Sequence, residues 1–436
     1  MIERTVGPKF YNRGLLFLLT FVVLAALVLL EACAGQSEGQ LHYNKGLELV
    51  DAARYDEAIV EFDEAIQTDP KMALAFANRG RAYGRKGDAD RAIADADRAI
   101  ELNPKLGRAY SVRASAYGQK GDEDRVFKDA NKAIELDPSL SSAYMNRGTV
   151  YSHRNDIDRA IADYSKAIEL EPSLALARSN RASAYLQRGQ SDQALADANK
   201  ALELDPSMAA AYLNRALAYE AKQDYDRGIA DYSKAAELEP QSALPYYDRG
   251  ALYFRKGESE RAIADYSKAI ELDPRMVRAY VSRAGVYIKK LDADRAIADA
   301  SKAIEIDPSM ARAYANRAMA YRQKAGYDQA ITDFVKAFDL DPGLAKDYPD
   351  KLAQDYVARG LSRKARGSVG VGNPRPGRGS PRGARPSFGP GRAAGTGETA
   401  LSRPLLIERR TQPVQGGRLG LVQSLDNRRN AGVNES

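Results

Sequence analysis

The sequence has no tryptophan, one cysteine and only two histidines among its 436 residues. The single thiol, Cys33, cannot close a disulfide within the chain. His42 and His153 stand far apart, and no clustered Cys and His spacing suits a metal ion. A Gly-rich phosphate loop is missing too. Asp and Glu are abundant, but they recur with a fixed period instead of gathering at one place. The materials of acid–base or nucleophilic chemistry are therefore absent or dispersed, which points away from an enzyme and from any cofactor. Uncharged apolar runs are also scarce, and the long one spans residues 15–30.

What the chain has instead is regularity. Pro70, Pro104, Pro138, Pro172, Pro206, Pro240, Pro274, Pro308 and Pro342 stand 34 residues apart without a slip. A period that strict means one structural unit copied and stacked, offering a long surface more than a pocket. Cut at that period, residues 39–344 give nine units: 39–72, 73–106, 107–140, 141–174, 175–208, 209–242, 243–276, 277–310 and 311–344. Counted within a unit, position 8 is Gly or Ala, position 11 is Tyr in all but the first, and position 27 is Ala. Positions 4, 8 and 11 fall on one face of a helix, and 20, 24, 27 and 28 on one face of a second. A polar break, often Gly-Asp, separates them, and the proline stops the second helix. The small residue at position 8 is expected to admit a bulky neighbour, with the Tyr at position 11 supplying the bulk.

The stretch 143–172, AYMNRGTVYSHRNDIDRAIADYSKAIELEP, resembles the tetratricopeptide repeat. That family has a small residue at position 8, Tyr at 11, Ala at 20, an aromatic at 24, Ala at 27 and Pro at 32. The resemblance covers about seven-tenths of the chain. It implies an all-α fold, a right-handed α-solenoid of helix-turn-helix units that binds other proteins. Two departures stand out, Gly228 for Ala at position 20 and Arg178 for the aromatic at position 4, and looser packing is expected there.

Two polar positions recur. Position 7 is Lys45 and then Arg in every unit; position 23 is Glu61 and then Asp in every unit, so pairing such as Arg215 with Asp231 is expected. Positions 2, 6, 9 and 13 point away from the 4–8–11 stripe and are free to line a surface. In the family the first helices line a concave groove. That resemblance nominates the position 6 amides Asn78, Asn146, Asn180, Asn214 and Asn316 as partner-binding, with Arg81, Arg85 and His153 beside them. The family's clamp for a terminal carboxylate needs Lys at position 5 and Asn at position 9; neither occurs here, so the expected ligand is an extended segment or a helix.

The ends of the chain lie outside the period. Arg4, Lys9 and Arg13 precede the apolar run, and Cys33 follows it, so residues 1–34 read as a signal peptide or membrane anchor. Leu30-Glu31-Ala32-Cys33 resembles a lipoprotein processing site, with Glu31 departing from the usual residue. Lipidation at Cys33, an uncleaved anchor and a cleaved, secreted product all remain open. Residues 345–360 read as a capping helix. Residues 361–436 are rich in Gly, Pro and Arg with Phe388 as the sole aromatic, and read as a disordered tail. The tail carries a net +10 while the chain carries +6, which leaves the repeats acidic.

Together these features lead us to expect a non-enzymatic adaptor at a bacterial envelope, membrane-anchored, lipidated or secreted, with a protein or peptide partner. The alternative is a cytoplasm-facing scaffold whose basic tail touches nucleic acid or anionic lipid.

Overall fold

The computed structural model describes residues 38–348, together with 351, 354, 355 and 357–359. The leader with Cys33 and the tail lie outside the described residues, and no described helix is long and apolar enough to cross a membrane. The described residues form α-helices and no strands. They fall into two compact units that meet in sequence between Arg188 and Gly189.

The first unit holds α1 (Glu38–Asp51), α2 (Tyr55–Thr68), α3 (Ala73–Arg85), α4 (Ala89–Leu102), α5 (Gly107–Gln119), α6 (Glu123–Leu136), α7 (Ser141–His153), α8 (Ile157–Leu170) and α9 (Ala175–Gln187). The second holds α10 (Ser191–Leu204), α11 (Ala209–Ala221), α12 (Tyr225–Leu238), α13 (Ala243–Arg255), α14 (Ser259–Leu272), α15 (Val277–Lys289), α16 (Ala293–Ile306), α17 (Ala311–Gln323) and α18 (Tyr327–Leu340). Within each unit, consecutive helices pack as antiparallel pairs, and consecutive pairs stack.

Local chemistry sets the helix ends. Each first helix ends in a residue of positive φ at position 15: glycine in four repeats, but Ala53, Asn155, Gln223, Leu291 and Ala325 in the others. The next amide then reaches back five residues, as Asp88 N does to Tyr83 O at 2.9 Å, closing the last turn. Asp at position 16 caps the second helix: Asp88, Asp122, Asp156, Asp224 and Asp292 each accept from the backbone N–H three residues on. The second helix stops two residues before the proline. There Asp69, Asp137, Asp205, Asp273 and Asp307 each accept from the N–H two residues ahead, an Asx turn that bridges the proline.

The core differs from the expected stripe on the first helices. In α7 the buried residues are Ala143, Gly148 and Val150, at positions 3, 8 and 10, while Tyr144 and Tyr151 are half-buried. The cause is crowding: α7 meets α8, α6 and α5, so three sides are covered and small residues are needed on each. Where position 24 is aromatic, the bulk over a position 8 glycine comes from it and not from the Tyr at position 11. A Cβ on Gly148 would stand 3.0 Å from the Tyr164 ring, and one on Gly250 3.1 Å from Tyr266. The second-helix stripe is as expected, with Ala160, Tyr164, Ala167 and Ile168 buried in α8.

Gly228 also departs from expectation, because it does not loosen its repeat. Leu252 of the following repeat is fully buried over it, and a Cβ on Gly228 would lie 2.8 Å from Leu252 Cδ1. The deletion at one position is filled by an enlargement at its neighbour.

After α18 the chain makes a 3-10 turn, Pro342–Lys346, at the start of the segment 345–360 expected to cap the stack, of which the described residues 351, 354, 355 and 357–359 are helical. Pro342 opens that turn, and Asp341 accepts from Gly343 N. Tyr348 then packs on Phe334, with ring centroids 5.5 Å apart, and Arg322 Nε donates to Asp355 Oδ1 at 2.5 Å. Asp355 is fully buried, and burial raises its carboxyl pKa.

Candidate binding face and its ion-pair ladders

The expected pairing of positions 7 and 23 is present, and each arginine does more than expected. Arg147 holds Asp163 with two parallel bonds, 2.7 and 2.8 Å, and its third nitrogen donates to Asn131 of the preceding repeat at 2.9 Å. Arg79 does the same with Asp95 and Asp63, and Arg113 with Asp129 and Asp97. In the second unit Arg215 grips Asp231 and reaches Asn199, while Arg249, Arg283 and Arg317 grip Asp265, Asp299 and Asp333 and reach Ser233, Ser267 and Ser301. Those aspartates are buried. The hydrogen bonds to them raise the guanidinium pKa values further. One side chain thus locks its own hairpin and fastens it to the previous one.

A second ladder was not read from the sequence. The cation at position 14 pairs with the acid at position 18 of the preceding repeat: Lys120 with Asp90 at 2.5 Å, Arg154 with Asp124 at 2.6 Å and Lys222 with Asp192 at 2.5 Å. Lys86–Asp56, Lys256–Asp226, Lys290–Glu260 and Lys324–Asp294 follow the same rule. The signal was available, because a cation recurs at position 14 in every repeat from the second on. These pairs are solvent-exposed, so each contributes about 0–1 kcal/mol. The tyrosines at positions 4 and 11 are platforms for guanidinium groups: Arg125 sits 4.4 Å above Tyr117 and Arg227 4.6 Å above Tyr219.

Asn78, Asn146 and Asn316 occupy the seam between consecutive first helices. Asn146 donates to Ser111 O at 3.3 Å and Ser115 Oγ at 2.9 Å, and Asn316 donates to Val281 O at 2.9 Å. Asn78 is buried and donates to Tyr43 Oη at 3.0 Å and Leu74 O at 2.9 Å. The amide hydrogens of Asn78 and Asn146 therefore serve the stack. Asn180 and Asn214 are half-buried, one in each unit. His153 is exposed and its Nδ1 lies 2.8 Å from Glu123 Oε1 of the preceding repeat. Gln119, not nominated, works like the amides: its Nε2 donates to Gly84 O at 2.8 Å, and its buried Oε1 has no partner.

Arg81 and Arg85 lie one turn apart on α3, and Arg108 of α5 donates to Asn78 Oδ1 at 3.4 Å. Arg108 had not been singled out, although Arg returns at position 2 as Arg278 and Arg312. Charge is divided between the two helices of this hairpin: α3 carries three arginines and no acid, whereas α4 carries four acids against two arginines. Among the described residues no group of three or more His, Cys, Asp or Glu is arranged to hold a metal ion. Shallow hollows lie where the turn of one repeat meets the position 14 cation of the next, as at Lys120–Asp124 with Arg154. They recur with the period, as at Lys290–Asp294 with Lys324, which marks them as features of the stack.

Stacked antiparallel hairpins of one fixed length, joined by repeating inter-hairpin contacts, define an α-solenoid. Tetratricopeptide repeat models match residues 43–107, 107–140, 141–174, 179–243, 243–276, 277–310 and 311–344. The chain belongs to the tetratricopeptide repeat family. Its fold is similar to that of the Cut9–Hcn1 hetero-tetramer of the APC/C, with a TM-score of 0.50 and 16% identity over 73% of this chain and 76% of that one. It also resembles YrrB, described as a TPR protein with an unusual peptide-binding site, at TM-score 0.36 and 26% identity over 41% of this chain and 92% of that one. A thermophilic TPR protein of Thermus thermophilus gives TM-score 0.36 and 26% identity over 42% of this chain and 99% of that one. Among curated proteins none matches the sequence.

Proposed function

We propose that this protein is a non-enzymatic scaffold that holds a peptide segment or helix of a partner on the outward side of its first helices. The observation that carries the reading is a difference in how polar groups are used. The recurring cations at positions 7 and 14 are engaged within the stack, whereas on α3 the side chains of Leu74, Arg81 and Arg85 are left outside both ladders. Leu74 and Leu244 occupy the same repeat position and are exposed apolar residues, a usage that suits contact with another chain. Tetratricopeptide repeat proteins generally work as scaffolds, which agrees with the lack of a catalytic constellation in the sequence.

A photo-crosslinking amino acid introduced in cells at Leu74 or Leu244 should give discrete adducts with one or a few polypeptides. The same group at Lys132 or Lys268 on the second helices should not. Adducts confined to the second-helix positions, or none at all, would remove the proposal.

The basic residues before the apolar leader, with Cys33 behind it, support placing the repeats on the outer side of a bacterial cytoplasmic membrane. Protease added to spheroplasts then digests the repeats. Protection from protease would instead favour the cytoplasm-facing arrangement, with the +10 tail touching nucleic acid or anionic lipid.

A further inference from the structure

Resting on that scaffold reading, we infer that the outward face of α3 and α5 binds an acidic segment of the partner, held in extended form by Arg81, Arg85 and Arg108. The ion pairs of α3 belong to Arg79, which holds Asp95 and Asp63. Among the described residues Arg81 and Arg85 have no carboxylate at ion-pair distance, and the polar partner of Arg108 is a neutral amide oxygen at 3.4 Å. Three guanidinium groups of one sign therefore share a face on which none of them is held in an ion pair. Arg81 is the most constrained. It is half-buried, and burial together with the charges of Arg85 and Arg108 lowers its pKa, while Asp51 and Glu171 act in the opposite sense. A carboxylate arriving there relieves that repulsion.

Spacing favours an extended polypeptide. Arg81 and Arg85 are four residues apart, a rise of ~6 Å along the helix. Carboxylates on alternate residues of an extended strand repeat every ~6.6 Å. Arg108 lies on the adjacent helix, ~8–10 Å away between axes, and closes the far side. Leu74 stands on the same face two turns before Arg81 and is 42% exposed, so an apolar residue beside the acids has a place to rest. Arginine's planar fork suits each carboxylate.

The test uses the full chain and a fluorescent peptide, Leu-Glu-Asp-Glu-Asp-Glu, acetylated and amidated so that no terminal carboxylate is present. Binding should weaken steadily with added salt. Arg81→Gln and Arg85→Gln should each weaken it about tenfold, as expected for loss of one charge-assisted hydrogen bond. The control Arg275→Gln, at an exposed arginine in a repeat turn, should leave affinity unchanged. Circular dichroism of each variant checks that the helices persist. Equal affinity in wild type and both Gln variants overturns the inference, as does tighter binding of a dT12 oligonucleotide or of the peptide only when its C-terminus is free. If crosslinks form at Leu74 while the acidic peptide fails to bind, the partner chemistry falls and the scaffold reading survives. If neither occurs, both fall.

Discussion

Leu252→Ala should cost this protein about 3 kcal/mol, and adding Gly228→Ala should return roughly half. Leu252 is fully buried, and buried Leu→Ala changes cost ~2.7–5.0 kcal/mol once the residual cavity is included. The cavity would lie where a Cβ on Gly228 belongs, because that Cβ falls 2.8 Å from Leu252 Cδ1. An alanine at 228 in the truncated background gains ~0.8–1.0 kcal/mol of helix propensity. It also buries a methyl group worth ~0.8 kcal/mol. The double variant then has an alanine pair like the fully buried Ala194 and Ala218 one repeat earlier. In the wild-type background Gly228→Ala must push Leu252 aside, and overpacking at ~1–3 kcal/mol cancels the propensity gain. Urea unfolding followed by circular dichroism gives the total. Amide exchange over residues 225–255 localises it, since stacked repeats need not unfold as one unit. Effects that add to within ~0.5 kcal/mol would refute the reasoning.

Arg215→Ala leaves the buried Asp231 carboxylate without its fork and should destabilise by about 3–5 kcal/mol, and the cycle with Asp231→Ala should show a coupling of about 1–3 kcal/mol. A coupling near zero in denaturant titrations would mean that the two residues are only neighbours. Acid should loosen the turns next. The backbone N–H of Arg125, and then its side chain, hold the Asp122 carboxyl below its ordinary 3.8. A lowered carboxyl pKa contributes stability above pH 3.8 that is lost as pH falls through the folded value. Asp122→Asn keeps the cap without the charge, so exchange of the amides of α6 should depend less steeply on pH below about 4 than in wild type. An unchanged pH profile would count against the cap.

The evenly spaced prolines, the small position 8 residues and the second-helix stripe were enough to read the hairpin and its stacking. The first-helix core was harder, because a helical wheel assumes one buried face whereas α7 is covered on three. That is why Tyr151 was taken as core bulk, although Tyr164 fills the space and Tyr151 carries Arg147 and Arg159 on its ring. Pairing of Arg215 with Asp231 followed from co-recurrence. The third bond to Asn199 did not, because position 25 changes among Asp, Asn and Ser in the first eight repeats, with Val335 in the last, and so hides its common role as acceptor. On the binding face, Asn146 was visible as a candidate, but not the two bonds that tie it to the preceding repeat. Arg108 escaped notice because position 2 follows no rule, changing among Gln, Leu, Arg, Ser and Ala from repeat to repeat.

The joint between Gly228 and Leu252 bears on how such a chain can grow or shrink. Elsewhere in the second unit, where Ala194 meets Ala218 and Ala296 meets Ala320, the facing residues are the same, so those hairpins present interchangeable surfaces. Excising a whole repeat at such a place would bring together surfaces of the same shape. Removing residues 243–276 would set Val286 over Gly228 in place of Leu252, a key too short for its lock. The sixth and seventh repeats are thus fitted to each other as a matched pair, and any rearrangement of the stack that keeps this joint has to keep both of them.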